Sequence, residues 1–271
     1  MTDARYTALV LAASRGNLDP LAQAGGVSHK CFIDIAGEPM LRRVVRAVAE
    51  SGRVGRIIVS IEEESIAEAR QILAPITGSE DFTYVASRDN IATSVVAAAT
   101  ADPNSVPLVV TTGDNALHTA EMVRFFCDAL APAMAEGADG AIGLTPARFI
   151  LEKYPEGNRA FHRFRDGQYS SCNIYALLTR RAIEKGPEVF RTGGQFGKRP
   201  KRLIGAFGLI AFLVYKSRRF RLATFLKFVS RAIGIRTVPV IMPFAEGPID
   251  VDRMQDWELA NRIVRERERA A

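Results

Sequence analysis

Through its first two-thirds the chain alternates short apolar runs with stretches in which apolar residues recur every three or four positions. The runs at 7–12, 56–61, 82–86 and 108–112 have the length and β-branched content of buried strands. The stretches at 40–51, 65–73, 91–101 and 119–136 carry a helical period. Strand and helix in repeated alternation predict an α/β, Rossmann-like three-layer fold whose mainly parallel sheet is covered on both faces. Ligands in such sheets lie beyond the C-terminal strand ends. The loops after Ala12 and Thr112 are therefore the first places to look for chemistry.

From Gly140 the rhythm changes. Strands are expected at 141–144, 159–165 and 170–177, with Asp166-Gly167 as a turn between the last two. They predict a small inserted β layer against the main sheet. A final helix is expected over 254–269. With no internal repeat or low-complexity linker, the 271 residues read as a single domain, 1–271. Three scattered cysteines, Cys31, Cys127 and Cys172, suit a reducing compartment. The apolar stretch at 8–13 is too short for a signal sequence. No run reaches the roughly 18–20 residues that span a bilayer. A cytoplasmic protein is expected.

Charge changes this picture in one place. The net +6 is unevenly spread: between Val189 and Ala245 stand twelve Lys or Arg and no Asp or Glu, so the rest of the chain is net acidic. Within that stretch, 203–215 is an apolar run of thirteen residues. Lys198, Arg199, Lys201 and Arg202 precede it, and Lys216, Arg218, Arg219 and Arg221 follow; Lys227 and Arg231 come later, among Phe225, Leu226, Phe228 and Val229. Residues 189–245 are thus expected to form a basic, apolar helical insertion. Its 198–235 portion has the pattern of a segment that docks on an anionic membrane surface, which would make the protein peripheral on the inner face. A buried helix with a basic rim and a homodimer interface fit the same pattern. Nucleic acid is not expected as a partner, because the run is too apolar and lacks interleaved stacking aromatics.

The first strand leads into Ala12, Ala13, Ser14, Arg15 and Gly16, then a stretch rich in small residues that reads as a loop up to Lys30. Small residues let backbone N–H groups approach phosphates, and an ammonium neutralises them. An ordinary surface loop would look the same, and neither a Walker A nor a G-x-G-x-x-G spacing is present. Taken with Lys30-Cys31-Phe32-Ile33-Asp34-Ile35-Ala36-Gly37-Glu38-Pro39-Met40, the segment resembles the opening signature of the MobA-like and sugar-phosphate nucleotidyltransferases. Lys30, Gly37 and Pro39 fall in register. Ser14 stands where a Gly is usual, and Leu18 where an Arg is usual.

The strand at 108–112 ends in Gly113-Asp114-Asn115, and a carboxylate past a buried parallel strand is well placed for a hard cation. Asp114 also suits a turn or the start of the next helix. The resemblance implies a metal role for Asp114 and, from the closing stretch Pro248-Ile249-Asp250-Val251-Asp252, for Asp252 rather than Asp250. Asp252 with Gln255 is equally a capping box.

Arg88, Asn90 and Ser94 are similar to the segment with which cytidylyltransferases of this superfamily contact base and ribose, although Thr93 and Ser94 also suit a plain helix start. Lys153, Arg159, Arg163 and Asn173 are candidates for an anionic acceptor, or for a solvated strand face. The resemblance therefore implies a Mg²⁺-dependent nucleotidyltransferase with Lys30 as catalytic cation. Its expected partners are CTP and a small phosphorylated acceptor of the phosphoglycerate, glycerol phosphate or inositol phosphate type. A molybdopterin or sugar-phosphate transferase using CTP or GTP, a GT-A glycosyltransferase and a non-catalytic nucleotide-binding scaffold at the membrane surface are the rival expectations.

Overall fold

The computed structural model describes residues 6–14, 19–155, 160–193 and 202–270. Strand β1 (Tyr6–Leu11) is buried along almost its whole length, as a central strand must be. Helix α1 (Pro20–Gly25) follows. Asp19 caps it by accepting the Leu21 N–H, and Pro20 supplies a preset first residue. The stretch before Lys30 is therefore partly helical rather than all loop. A 3₁₀ turn (Lys30–Phe32) and a short hairpin, β2 (Asp34–Ile35) with β3 (Glu38–Pro39), lead to α2 (Met40–Ala49). Then come β4 (Val54–Ile61), α3 (Ile66–Leu73), β5 (Thr83–Ala86), α4 (Ile91–Ala101) and β6 (Leu108–Thr112).

The helix expected over 119–136 is two helices, α5 (Ala120–Asp128) and α6 (Leu130–Ala135). Pro132 has no N–H to continue the first, and sits in the opening turn of the second, where none is needed. The remainder comprises β7 (Gly140–Pro146), α7 (Ala147–Lys153), β8 (His162–Phe164), β9 (Gly167–Leu177) and α8 (Arg180–Gly193). After these come α9 (Arg202–Ser217), α10 (Leu222–Ile233), β10 (Thr237–Ile241) and α11 (Met254–Ala270).

The main sheet runs β10-β7-β9-β6-β1-β4-β5, with β8 paired to β9. Only β9 opposes its neighbours; the other pairings are parallel. The expected separate β layer is thus corrected: β7, β8 and β9 extend the main sheet. Periodicity identifies strands but not partners, and β9 takes the edge of β6 that the first-half strands leave open.

Alternate residues of the central strands feed two cores, as the pleat requires. Val10 and Val59 pack under α2 and α5 with Val44 and Phe126. Leu9 and Ile58 pack under α4 and α8 with Val95 and Ile183. This makes three layers. A further cluster joins α9 and α10 to Leu144 at the far end of the sheet. The apolar run of 203–215 is not one continuous helix, because Gly208 takes φ 81° and ψ 169° inside α9. No helix among the described residues is long and apolar enough to cross a membrane.

Candidate active site

The parallel strands all end at one edge of the sheet, and three loops converge there. Gly113 donates its N–H to the Leu11 carbonyl at 2.8 Å. A Cβ at Gly113 would lie 3.1 Å from Cys31 Sγ and 3.2 Å from Ala12 Cα, so glycine is what lets this loop close onto β1. Beyond it, Thr112 Oγ1 donates to Asp114 Oδ1 at 2.6 Å, and Asn115 Nδ2 donates to Thr112 Oγ1. The Val251 N–H then donates to the Asp114 carbonyl at 3.0 Å, which stitches the loop before α11 beside the loop after β6.

Lys30 opens the 3₁₀ turn next to them. Its ammonium donates to Asp114 Oδ2 at 3.2 Å and to Asp252 Oδ1 at 2.9 Å. The two carboxylate oxygens are therefore no farther apart than those distances added, although the acids lie 84 and 222 residues from Lys30 along the chain. Burial favours the neutral amine, but Asp114 and Asp252 outweigh it and hold the Lys30 pKa above the ordinary lysine range. The lysine is charged at neutral pH. The cleft is open on one side: the Lys30 side chain is 12% exposed, Asp114 24% and Asp252 52%. At the start of α11, Asp256 accepts the Arg253 N–H at 3.1 Å, while the Asp252 carboxylate is on Lys30.

Around this centre lie groups that sequence reasoning missed. His29 Nδ1 accepts the Cys31 N–H at 3.0 Å, so Nε2 carries the proton and donates to Glu62 Oε2 at 3.1 Å. The other oxygen of Glu62 accepts the Ser14 N–H at 2.7 Å. Burial raises the Glu62 pKa, but hydrogen bonds from His29 and from backbone N–H groups, Ser14 among them, outweigh it and hold the carboxyl below its usual range. Glu62 follows β4 at the same sheet edge, so the rule that picked out Asp114 could have picked it out as well.

On the other flank, Asn173 Nδ2 donates to Asn115 Oδ1 at 3.4 Å and to Asp250 Oδ2 at 3.3 Å. Asn173 has φ 50°, a left-handed backbone that asparagine tolerates, at the irregularity where β7 and β9 shift register. Gly143 makes room for it. A Cβ there would come within 2.5 Å of Ile174 Cγ2 and 2.8 Å of Met242 Sδ. Asp250, set aside in favour of Asp252, thus faces the same neighbourhood through Asn173.

The remaining candidates are placed as follows. Ala12, Ala13 and Ser14 follow β1 at this edge, whereas Arg15, Gly16, Leu18 and Arg159 lie outside the described residues. The Arg88 N–H donates to Ser94 Oγ at 2.8 Å, and Asn90 caps α4 by accepting the Thr93 N–H at 3.1 Å. These three stand two strands away from β1, and those bonds are local. Arg163 is exposed on β8. Lys153 donates to Glu246 Oε1 at 2.6 Å, which places its ammonium on a buried carboxylate.

A lysine and two acids meeting beyond a parallel sheet, beside a loop of small residues, are the makings of a nucleotide-handling transferase. The family comparison narrows that class. Residues 8–155 match the MobA-like NTP transferase domain, and the chain belongs to that family; it is a nucleotidyltransferase. Among solved structures, the fold is similar to that of a hypothetical transferase from Thermus thermophilus. The TM-score is 0.72 at 23% identity, over 93% of this chain and 99% of that one. It is also similar to 4-diphosphocytidyl-2C-methyl-D-erythritol synthase from Anaerococcus prevotii, with TM-score 0.56, 13% identity and 97% of each chain covered. A third similar fold is that of CMP:2-keto-3-deoxy-manno-octonic acid synthetase complexed with CTP, with TM-score 0.56, 14% identity, and 97% of this chain and 99% of that one covered. No curated protein sequence matches the chain.

Proposed function

We propose that the protein transfers CMP from CTP to a small phosphorylated acceptor and releases pyrophosphate. The observation that carries this reading is the Lys30 ammonium between the carboxylates of Asp114 and Asp252. The choice of CTP is supported by the two cytidylyl-handling enzymes among the similar folds.

The chemistry is simple to balance. An oxygen of the acceptor phosphate attacks the α-phosphorus of CTP, a new P–O bond forms, and the bond to the β-phosphate breaks as pyrophosphate leaves. The attacking phosphate is already ionised at neutral pH, so no general base is required. What the protein must supply is alignment and relief of crowded negative charge. Lys30 contributes a permanent cation. Ser14 and its neighbours offer the triphosphate a loop of small residues, and Glu62 with His29 fixes that loop through the Ser14 N–H. Arg88, Asn90 and Ser94 would contact the base and ribose; Asn173 and Arg163 line the acceptor side in this reading.

Two carboxylates around one ammonium leave a negative charge over, and this donor set suits Mg²⁺. Asp114 and Asp252 would hold it. Among the described residues no group of three or more His, Cys, Asp or Glu converges, so phosphate oxygens and water would complete the shell. When bound, the ion would screen the α-phosphate and the departing pyrophosphate.

The acceptor class we propose is a lipid head-group precursor such as glycerol phosphate, phosphoglycerate or inositol phosphate, activated in the cytoplasm. The test is pyrophosphate release from Mg-CTP with a panel of such acceptors, set beside thermal shifts with CTP and GTP. Release with CTP and one acceptor is the expected result. Silence across the panel with every NTP would overturn the reading.

A further inference from the structure

The helices α9 and α10 bury one face and leave another without a use in catalysis. Leu203, Phe207, Ala211 and Val214 pack inward, against Leu144 and the apolar face of α10. The opposite side of α9 remains strongly apolar in water: Leu209 is 57% exposed, Ile210 66% and Leu213 55%, with Ile204 at 41%. Scattered exposed aliphatics need no explanation, but three of them within five residues on one helix form a patch. Phe220, 40% exposed, continues it toward α10, where its ring meets Phe228 edge-on at 6.5 Å.

Six cations flank the patch, with Asp166 behind them accepting the Leu222 N–H at 2.9 Å. Lys216, Arg218, Arg219 and Arg221 follow it, and Lys227 and Arg231 stand one turn apart on α10; all six are exposed. No Asp or Glu occurs anywhere from Val189 to Ala245. An aliphatic centre with a basic rim is the arrangement of a helix lying in a lipid interface. A second copy of the chain fits poorly, because a two-fold contact would press this rim against itself with no acid in the segment to pair with it. Nucleic acid fits poorly too, since the exposed centre is aliphatic rather than a stacking platform.

We propose that the α9–α10 face docks on an anionic membrane surface, with Leu209, Ile210 and Leu213 entering the head-group region and the basic rim meeting lipid phosphates. This goes beyond the proposed reaction and does not depend on it.

The test is co-flotation of the full chain with phosphatidylcholine vesicles, with and without phosphatidylglycerol. Binding should be confined to the anionic vesicles and should weaken as salt shortens the Debye length. The double substitution Ile210→Asp with Leu213→Asp should abolish flotation. Lys216→Glu with Arg219→Glu should cut binding by roughly thirtyfold or more, at about fivefold per lost cation. All four positions are at the surface, so melting midpoints and lipid-free pyrophosphate release should not change. Equal binding to neutral vesicles, or flotation that survives both double variants, would overturn the proposal. So would self-association that the Asp variants dissolve in a protein that never floats. Failure of the CTP reaction would leave the flotation result standing.

Discussion

Two clusters of opposite charge balance share the loop between β10 and α11, one through Glu246 and the other through Asp252. In one, a single ammonium, Lys30, is shared by the carboxylates of Asp114 and Asp252, and the pocket is open. In the other, a single carboxylate, Glu246, receives Lys153 Nζ at 2.6 Å and Tyr154 Oη at 2.8 Å, with Arg267 Nη2 at 3.4 Å. Glu246 is buried at 6% exposure. The closed cluster has cations to spare and ends in an anchored backbone: the Ile249 N–H donates to the Glu246 carbonyl at 2.9 Å, two residues before Val251 meets Asp114. The open cluster has an anion to spare and faces solvent. The difference teaches how to read ion pairs here. A surplus of donors on one buried carboxylate fixes a loop, whereas a surplus of carboxylates on one lysine is what the proposed Mg²⁺ site calls for.

The sharpest way to break this contrast is Asp114→Asn. Its neighbours Thr112 and Asn115 hold the side chain in place, so the amide should be tolerated sterically. Turnover should nonetheless fall by about a thousandfold, in the range seen when one preorganised charge is removed from a transition-state site. The melting temperature should hold, and calorimetric titration with Mg²⁺ should weaken. Asp252→Asn should follow with a smaller loss, because that side chain is half exposed. Unchanged turnover for Asp114→Asn would remove it from the mechanism.

The second effect belongs to the closed cluster and should appear in stability. Burial raises the Glu246 pKa, but Lys153, Tyr154 and Arg267 outweigh it and hold the carboxyl below its ordinary value. A depressed carboxyl contributes stability above its unfolded pKa and loses it as pH falls through the folded value. Denaturation at neutral pH should therefore show Glu246→Gln weaker by about 2 kcal/mol. The gap between variant and parent should close as pH drops below the carboxylate range. A constant gap down to acid pH would mean that the loss is one of packing, not charge.

The same contrast explains how far the sequence could be read. The strands of 7–12 and 108–112 are buried on both faces, so their apolar runs announce them, and Asp114 is marked by standing just past one. Lys30 was legible through the register of Gly37 and Pro39. That Asp252 belongs beside Asp114 was legible only by resemblance, because their meeting depends on a backbone bond, Val251 to Asp114, that no local pattern encodes. Glu62 and His29 were passed over for a related reason: each is one polar residue beside an apolar run, and its meaning comes from a partner 33 residues away. The place of β9 in the main sheet was likewise hidden, since alternation predicts a strand but says nothing of the strand beside it.

The smallest effect separates the two clusters at a residue that could have belonged to either. Lys153 was a candidate for holding an anionic acceptor, yet its ammonium rests on Glu246. Its side chain is 59% exposed, so water screens the pair and its strength is that of a surface ion pair. Removing it leaves Glu246 with Tyr154 and Arg267. Lys153→Gln should therefore cost at most about 1 kcal/mol in denaturant unfolding. The KM for the phosphorylated acceptor should stay within about twofold, since a shift that small is under 1 kcal/mol of binding. A rise of tenfold or more in that KM, with stability unmoved, would transfer Lys153 from the anchoring cluster to the acceptor site. The rule that surplus donors mean anchoring would then fail at the residue where it is easiest to check.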